Sequence, residues 1–310
     1  MKKYLCGVDI GGTSIKIGLF DIDFNLLERF SIPTNLENHG SQILSEIAFA
    51  IQEKTSFDDI IGIGFGVPGP VFRDIIQKSV NLGWERVDLK KEFYAIIKRD
   101  DIVIHVSNDA NTAAFGEYKH GVAKGHTNVA MMTIGTGIGG GIVIHGHIVD
   151  GVNGVAGEIG HMIVDHKYDF LCNCGKIGCL ETVASATGII RVANYKLKNS
   201  NLDSALRNYH HGFSAKKVID FAKEGDLLST QVMNEVADYI ATMFANITYT
   251  INPDIFVIGG GVSLAGDYLL SLIEEKYYPY ALPFVTKTNI KLSTLGNDAG
   301  IYGAASLVKP

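Results

Sequence analysis

Residues 157–181 read GEIGHMIVDHKYDFLCNCGKIGCLE and hold three of the four cysteines in the chain. Cys172, Cys174 and Cys179 form a Cys-x-Cys-x4-Cys pattern, and His161 lies eleven residues before the first of them. Three sulfur ligands and one nitrogen ligand are the set that a closed, tetrahedral zinc site requires. Because the protein would fill all four positions, none is left for a zinc-bound water, and the sequence predicts a structural zinc ion.

Two other interpretations of these thiols stay open at the level of sequence. They could be buried free thiols, because cysteine packs as a small hydrophobic residue, although the glycines between the last two cysteines favour a tight loop over a core strand. They could also form a disulfide, which a reducing cytosol would not keep. Glu158 and Glu181 flank the cluster. A zinc ion on His161 and Cys179 would fix the directions of both carboxylates, which predicts one wall of a binding pocket.

The composition is that of an ordinary globular protein, since 46% of the 310 residues are hydrophobic and 19% are charged. This length favours two domains over one. The net charge of -6 argues against a nucleic-acid-binding surface. The first apolar run is interrupted at Asp9, too early for a secretory signal, and no apolar run is long enough to span a membrane. A cytoplasmic location is therefore predicted.

Two short glycine-rich turns each join a pair of predicted strands. In the first, Gly11-Gly12-Thr13 follows Asp9, and Gly135-Thr136-Gly137 repeats the design near the middle of the chain. Such turns can approach a phosphate closely because glycine has no Cβ. An ordinary Gly-Gly hairpin is the alternative for either turn taken alone. Neither turn has the spacing of a dinucleotide-binding fingerprint or the Gly-Lys-Ser/Thr of a P-loop.

Asp109 follows a predicted buried strand and precedes a predicted helix. Its simpler role is the N-cap of that helix, a position that aspartate often fills. Its functional role would be a general base at the carboxyl end of a strand, where open α/β sheets place their ligands. Gly260 and Gly261 follow a later buried strand and precede a helix. An adenine ring or a ribose could lie against such a glycine turn.

Apolar periodicity predicts both strands and helices along the chain. Strands are predicted at 4–9, 14–20, 26–32, 60–67, 102–107, 129–134, 142–144, 254–258 and 290–293. Helices are predicted at 41–54, 110–118, 214–223, 227–252, from about 266, and at 300–307. Residues 199–213 are predicted to form an exposed connection.

Together, these motifs resemble those of the ROK family of sugar kinases, within the actin-like ATPase superfamily, along essentially the whole chain. The motifs that carry the resemblance are Asp9-Ile10-Gly11-Gly12-Thr13, Gly66-Val67-Pro68-Gly69, Asn108-Asp109-Ala110-Asn111, Gly135-Thr136-Gly137-Ile138-Gly139-Gly140-Gly141, Glu158-Ile159-Gly160-His161 and Cys172-Asn173-Cys174-Gly175-Lys176-Ile177-Gly178-Cys179-Leu180-Glu181. The last two, in this order and spacing, are highly specific, whereas the glycine turns are not. Residues 80–84 and 181–189 look most similar to the bacterial glucokinases of the family. Repressors of the family carry an additional N-terminal DNA-binding module, for which the phosphate turn at Asp9 leaves no room.

The resemblance implies a two-lobed α/β fold of the actin-like ATPase (ribonuclease-H-like) type, with a cleft between the lobes. The implied small lobe covers 1–118 plus about 297–310, and the large lobe, with the zinc loop, covers 119–296. ATP and Mg²⁺ are the implied cofactors. The residues implied to bind them are Asp9, Gly11, Gly12, Thr13, Gly135, Thr136, Gly137, Gly260 and Gly261. Asp9 is the natural carboxylate for Mg²⁺, with water between them if the ion keeps its hydration shell.

The resemblance also implies a sugar site. Its expected members are Gly69, Asn81, Asn108, Asp109, Glu158, His161 and Glu181. His161 would bind zinc through one ring nitrogen and the sugar through the other. Asp109, which is ionised at neutral pH, would accept the proton of the attacking hydroxyl. Since neither glycine turn contains Lys or Arg, Mg²⁺ and backbone N–H groups are expected to meet most of the charge on the γ-phosphate.

The implied activity is ATP-dependent phosphorylation of the 6-hydroxyl of glucose, within carbohydrate metabolism and glycolysis. N-acetylmannosamine and N-acetylglucosamine are the alternative substrates. A non-catalytic sugar sensor is the alternative from another class, whereas the full ligand set disfavours a zinc hydrolase. The expected partners are a hexose and ATP, with no nucleic acid and no membrane. A homodimer or a higher homo-oligomer is expected.

Overall fold

The computed structural model describes residues 3–285 and 288–309, which form a mixed α/β protein. The strands are β1 (Tyr4–Ile10), β2 (Ser14–Phe20), β3 (Leu26–Pro33), β4 (Ile60–Val67), β5 (Val71–Phe72), β6 (Ile75–Ile76), β7 (Val103–Asn108), β8 (Asn128–Ile134), β9 (Ile138–Ile144), β10 (His147–Ile148), β11 (Ile255–Gly259) and β12 (Asn289–Leu292). The helices are α1 (Glu37–Gly40), α2 (Ile43–Lys54), α3 (Leu89–Ile97), α4 (Asp109–His120), α5 (Leu180–Ala184), α6 (Ala186–Asn199), α7 (Ala215–Lys223), α8 (Leu227–Ile251), α9 (Asp267–Tyr280) and α10 (Ala299–Ser306). Within these ranges, no helix is both long enough and apolar enough to cross a membrane.

Contacts between Cα atoms divide the chain into two compact units. The first comprises Met1–Gly125, Gly141–Gly157 and Thr294–Pro310, and the second comprises His126–Gly140 and Glu158–Ser293. The lobe boundaries expected near residues 118 and 297 stay a prediction. The contact division differs from them chiefly in grouping residues 141–157 with the first unit.

The first unit is built on a five-stranded sheet in the order β3-β2-β1-β4-β7. Strand β1 is antiparallel to β2 and parallel to β4, and β4 is parallel to β7. Helix α10 packs directly on this sheet where the strands carry glycine. A Cβ at Gly7 would lie 1.9 Å from the carbonyl oxygen of Ile301, and one at Gly64 would lie 1.7 Å from that of Ala304. The glycines that interrupt the apolar runs of β1 and β4 are therefore required by the close approach of the helix.

The second unit contains β8, β11 and β12, neighbouring parallel strands of a sheet ordered β10-β9-β8-β11-β12. The long helix α8 covers them with a buried apolar stripe. The members of this stripe, each at most 4% exposed, are Val232, Val236, Ile240, Met243, Phe244 and Ile247. Phe244 stacks on Phe256 of β11 with ring centroids 4.1 Å apart. Full burial of such side chains contributes about 1.5–3 kcal/mol each, so the stripe belongs to the core of this unit.

Several sequence predictions are confirmed with their bounds, and others need correction. Strands β2 and β4 begin and end where the sequence predicts. The prediction of Asp109 as a helix N-cap is wrong. Asn108 is the N-cap of α4, because its side chain accepts hydrogen bonds from the backbone N–H groups of Ala110 and Asn111. Strand β9 begins at Ile138, inside the glycine run, rather than at residue 142.

Candidate functional site

The thiols and the imidazole that the sequence singles out converge in the second unit. The ligand atoms of His161, Cys172, Cys174 and Cys179 all lie within 4.8 Å of one another. Cys174 Sγ is 3.6 Å from Cys179 Sγ, and Cys172 Sγ is 3.5 Å from His161 Nδ1. Tetrahedral zinc with its usual bond lengths sets its ligand atoms about 3.6–3.8 Å apart. The four side chains therefore fit a zinc ion, and none of the four cysteines of the chain forms a disulfide.

Backbone bridges hold the cysteine loop in this shape. Cys172 N donates to Lys176 O at 2.9 Å, and Cys179 forms an isolated β-bridge with Ile163. Gly178 has a positive φ of 89°, and a Cβ there would lie 2.5 Å from the carbonyl oxygen of Asp165. Only glycine fits this position without strain.

A buried carboxylate anchors the loop to the core. Asp165 is 2% exposed and accepts hydrogen bonds from the backbone N–H groups of Lys167 and Tyr168. It also accepts a 2.7 Å hydrogen bond from the hydroxyl of Tyr239, on helix α8. These bonds fix the loop against α8 through protein contacts alone.

Glu158 and Glu181 flank the cluster, as predicted. His161 Nε2, the ring nitrogen turned away from Cys172, lies 4.0 Å from Glu158 Oε2. Glu181 Oε1 lies 3.8 Å from Cys172 Sγ. Burial raises the pKa of Glu158, and the neighbouring His161 opposes that shift. Three of the expected sugar contacts therefore form one polar group beside the Cys/His cluster.

The second glycine turn is joined to this polar group. Glu181 Oε2 accepts a 2.9 Å hydrogen bond from the backbone N–H of Ile138. A Cβ at Gly137 would lie 2.3 Å from the same carboxylate oxygen. The start of α6 supports the other side of the turn, because Ala186 N donates to Gly135 O at 2.8 Å. The turn and Glu181 therefore have fixed relative positions.

A cavity of about 630 Å³ opens beside the second glycine turn. Its walls come from that turn, from α7 and from the segment that follows β11. The lining residues are Gly135, Thr136, Ala186, Ser214, Ala215, Lys216, Ile219, Asp220, Lys223, Gly261, Val262, Leu264 and Ala265. Gly260 packs elsewhere, since a Cβ there would lie 2.6 Å from the carbonyl oxygen of Ile134. Three of the expected ATP contacts, Gly135, Thr136 and Gly261, thus line one cavity. Helix α7 also lines it, with residues that the motifs did not indicate.

In the first unit, two hydrogen bonds close the first glycine turn, at residues 11–13. Gly11 N donates to Ser14 O at 3.0 Å, and the Thr34 hydroxyl donates to Gly11 O at 2.6 Å. A Cβ at Gly12 would lie 3.7 Å from Cβ of Asn81. The structure therefore brings one expected sugar contact next to the expected phosphate turn.

Three more of the expected sugar-binding residues lie together at the start of α4, in the first unit. Asn108 Nδ2 donates to the carbonyl oxygen of Gly69 at 3.1 Å. Asp109 is the first residue of the helix, and its Oδ1 accepts a 2.8 Å hydrogen bond from Ala110 N. Thr112 Oγ1 donates to Asp109 O at 2.7 Å, which fixes the first helical turn. Asp109 therefore has a defined backbone position at the carboxyl end of β7, where α/β proteins place ligands.

The chain matches known proteins along nearly its whole length. A model of the ROK family matches residues 5–310. The chain belongs to the ROK family. It is 41% identical to the glucokinase of Halalkalibacterium halodurans, over 99% of this chain and 95% of that protein. It is 37% identical to the glucokinase of Thermotoga maritima, over 99% of this chain and 98% of that protein.

A solved ROK structure has the same fold. The ROK family glucokinase from Streptomyces griseus, in complex with glucose and AMPPNP, is 31% identical, with a TM-score of 0.80 and 98% of each chain covered. Membership of the ROK family and this likeness confirm the family resemblance and the α/β fold class predicted from the sequence.

Sequence reasoning missed a cation beside the first glycine turn. Asp9 and Lys16 are register partners across the β1–β2 hairpin, and Lys16 Nζ lies 3.2 Å from Asp9 Oδ2. Burial raises the pKa of Asp9, whereas the charge of Lys16 and its hydrogen bond lower it. A Cβ at Gly300, on helix α10, would lie 2.7 Å from Asp9 Cγ. Hairpin register could have indicated Lys16, because residues equally distant from a turn face each other across the ladder.

Proposed function

We propose that this chain is an ATP-dependent glucokinase that transfers the γ-phosphoryl group of ATP to the 6-hydroxyl of glucose. The observation that carries the proposal is the group formed by Glu158, His161 and Glu181. This group lies against the Cys/His cluster and is hydrogen-bonded to the glycine turn beside the cavity. The names of the relatives at 41% and 37% identity support glucose as the sugar.

In this proposal Asp109 is the general base. An attacking hydroxyl must lose its proton as the phosphoryl group is transferred, and an ionised carboxylate at the start of a helix can accept it. Asn108 and Gly69, which hydrogen-bond to each other, would contact the sugar beside it. Asn81, close to Gly12, would contact the sugar on the side of the phosphate turn.

ATP would be held by both glycine turns. Gly11, Gly12 and Thr13 would present backbone N–H groups to the phosphates, as would the turn at 135–137. The cavity lined by Thr136 and Gly261 is of a size suited to a nucleotide base and ribose. We place Gly260 in a supporting role, because it packs on Ile134.

The residues around Asp9 fit Mg²⁺. Asp9 is a largely buried carboxylate, and its carboxyl group packs closely on helix α10 where residue 300 is glycine. Oxygen ligands of this kind suit a magnesium ion that keeps several waters. Bound Mg²⁺ supplies positive charge to the phosphates during transfer. Lys16 would share that task from within the protein.

The Cys/His cluster fits a structural zinc ion. His161 would bind zinc through Nδ1, the nitrogen near Cys172, and contact the sugar through Nε2, the nitrogen near Glu158. This division of the two nitrogens would make the metal an indirect support of the sugar site. Since these thiols need a reducing compartment, we also propose the cytoplasm as the location.

One assay tests the function and the choice of sugar. We expect kcat/KM with Mg-ATP to be higher for glucose than for mannose, fructose, N-acetylglucosamine and N-acetylmannosamine. A site that hydrogen-bonds a hydroxyl can reject an analogue without it by about 10⁴-fold, so the contrast is expected to be large. If either N-acetyl sugar exceeds glucose, the glucokinase assignment is wrong and the sugar kinase assignment stands.

The sensor alternative is decided by the same assay together with calorimetry. A chain that binds glucose but phosphorylates none of the five sugars is a sensor rather than a kinase. The expected homodimer or higher homo-oligomer is a separate proposal, which light scattering of the purified protein tests directly.

A further inference from the structure

A buried amide in the first turn of α4 is tied to a carboxylate far away in sequence. Asn111 is 3% exposed, and its Nδ2 donates to Asp150 Oδ1 at 3.1 Å. A carboxylate only accepts hydrogen bonds, so the amide nitrogen rather than its oxygen must face Asp150. Asn111 Oδ1 is buried and has no hydrogen-bond partner within the described part of the chain. Asp150 is therefore the acceptor for the amide nitrogen of this side chain.

Asp150 also holds its own loop in place. Its carbonyl oxygen accepts a hydrogen bond from Ala156 N at 3.1 Å, which closes the loop. Gly151 and Gly154 have positive φ values of 73° and 72° inside it. A Cβ at Gly154 would lie 2.3 Å from the carbonyl oxygen of Val71, so the loop packs tightly on β5. The carboxylate that binds Asn111 is thus presented by a rigid support.

The same turn of α4 carries Asp109. Asn111 is two residues further on, and both belong to the turn that Asn108 caps. If Asp150 is lost, the buried Asn111 amide loses its acceptor, and the turn must shift to solvate it. Burial raises the pKa of Asp150, and the hydrogen bond from Asn111 opposes that shift, so the bond favours the ionised carboxylate. Asp109 therefore shares its helical turn with a side chain that is bonded to a residue 41 positions after Asp109.

We propose that Asp150 is a positioning residue that acts through Asn111 to fix the first turn of α4 and so the direction of Asp109. The proposal rests on the proposed role of Asp109 as general base. Displacement of a catalytic group by a fraction of an ångström lowers the rate of the chemical step more than it changes binding of the substrates. Loss of Asp150 should therefore act on kcat.

The test compares Asp150→Ala with a matched control elsewhere in the first unit. Asp21 accepts a 2.8 Å hydrogen bond from Asn25 Nδ2, which is the same amide–carboxylate pairing in an exposed turn. We expect Asp150→Ala to lower kcat about tenfold with the KM for ATP within about twofold of wild type. Asp21→Ala is expected to lower stability without a change in kcat. Asp150→Asn is expected to keep most activity, because an amide oxygen also accepts a hydrogen bond.

A reversed pair and a double variant separate positioning from general destabilisation. Asn111→Asp combined with Asp150→Asn restores the bond in the opposite sense and is expected to recover kcat. Asn111→Leu and Asp150→Ala break the same hydrogen bond. We therefore expect the kcat of the double variant to be no lower than that of the slower single variant. Hydrogen exchange at residues 108–112 is expected to speed up in Asp150→Ala and to stay unchanged in Asp21→Ala.

Three results would overturn the role of Asp150. They are a wild-type kcat in Asp150→Ala, strictly additive effects in the double variant, and unchanged exchange at residues 108–112. Failure of the proposed function is distinguishable, because it would appear as a wild-type protein that phosphorylates no sugar. The exchange experiment does not depend on activity and decides the Asp150–Asn111 contact in either case.

Discussion

Lys16 Nζ lies 3.2 Å from Asp9 Oδ2, beside a glycine turn that contains no cation of its own. Both side chains are largely covered, with 29% of Lys16 and 17% of Asp9 exposed. Ion pairs at this depth are screened less by salt than pairs on the open surface. The pair thus keeps a positive charge next to the proposed site for the phosphates of ATP. The charge and the hydrogen bond of Lys16 also oppose the rise in the pKa of Asp9 that burial causes.

We therefore predict that Lys16→Met lowers kcat/KM for ATP about 10- to 100-fold, as expected for loss of a charge-assisted hydrogen bond. The KM for glucose should stay within about twofold, and Lys16→Arg should recover part of the loss. Initial rates with ATP varied at saturating glucose give the answer. Lys196→Met is the control, because it breaks a similarly covered ion pair with Glu235 away from the turn. Unchanged kcat/KM for ATP in Lys16→Met would remove Lys16 from the site.

The second prediction concerns Asp109. Asp109→Asn keeps the shape of the side chain and can still accept the hydrogen bond from Ala110 N, but it cannot take up a proton from the sugar. General base catalysis contributes about 10²–10⁴-fold, so we expect phosphorylation to be abolished within the detection limit. Calorimetric titration should show that glucose binding weakens only modestly. A variant that keeps a tenth of the wild-type turnover would show that Asp109 is not the base.

The third prediction is one zinc ion per chain, bound by His161, Cys172, Cys174 and Cys179. Metal analysis of the purified protein should find it in stoichiometric amount. Cys172→Ser should lose the metal, stability and activity together, because binding of a structural metal contributes to the free energy of folding. Cys6→Ala is the matched control, since Cys6 is a fully buried thiol of the first unit. Normal zinc content and activity in Cys172→Ser would rule out this ligand set.

Local pattern accounts for what could be predicted from the sequence. Strands β2 and β4 were predictable because β2 is an apolar run that begins after a glycine turn and β4 is one that ends at a proline. The cysteine cluster was predictable because its members are close in sequence. Helix α6 was not predicted from the sequence, because its buried residues begin with Gly188, a poor helix former, and its apolar stripe is short. The cap of α4 was misassigned because asparagine and aspartate are equally good N-caps. The choice depends on where β7 ends, and it ends at Asn108.

Long-range contacts account for what could not be predicted. Glu181 and Ile138 are far apart in sequence and joined by one hydrogen bond to a backbone N–H, which any residue could provide. Asp150 has no motif around it, and its partner Asn111 reads as an ordinary polar residue of a helix. Such contacts follow from the packing of elements rather than from the residues of one segment.

The fourth prediction uses two glycines of one turn. A Cβ at Gly137 would lie 2.3 Å from Glu181 Oε2, whereas nothing lies within 4 Å of a Cβ at Gly135. Neither glycine has a positive φ, so alanine is compatible with both backbone positions. We expect Gly137→Ala to displace Glu181 and to raise the KM for glucose at least about tenfold. Gly135→Ala should raise it much less, and equal effects of the two variants would contradict the contact between the turn and Glu181.

The fifth prediction concerns acid stability and begins with the environment of His120. Its Nε2 lies 2.9 Å from Ser306 Oγ, and that hydroxyl donates its own proton to Tyr302 O. The imidazole must therefore donate from Nε2, so this nitrogen carries a proton in the folded protein. Its ring lies 4.4 Å from that of Phe24. Burial, and then the charges of nearby lysines, lower the pKa of His120 from 6.5 to about 4.

The sign of the effect follows from this shift. Between pH 6.5 and about 4 the unfolded chain binds a proton at His120 that the folded chain does not, so stability falls as the pH falls through this window. His120→Gln keeps a donor for Ser306 and cannot titrate, so its stability should fall less. Urea unfolding midpoints at pH 7.5 and 5.5 measure the difference, with the exposed His147→Gln as control. Wild type and the control His147→Gln should lose equal stability between these two pH values. If His120→Gln loses as much as they do, His120 does not contribute to the acid sensitivity of the fold.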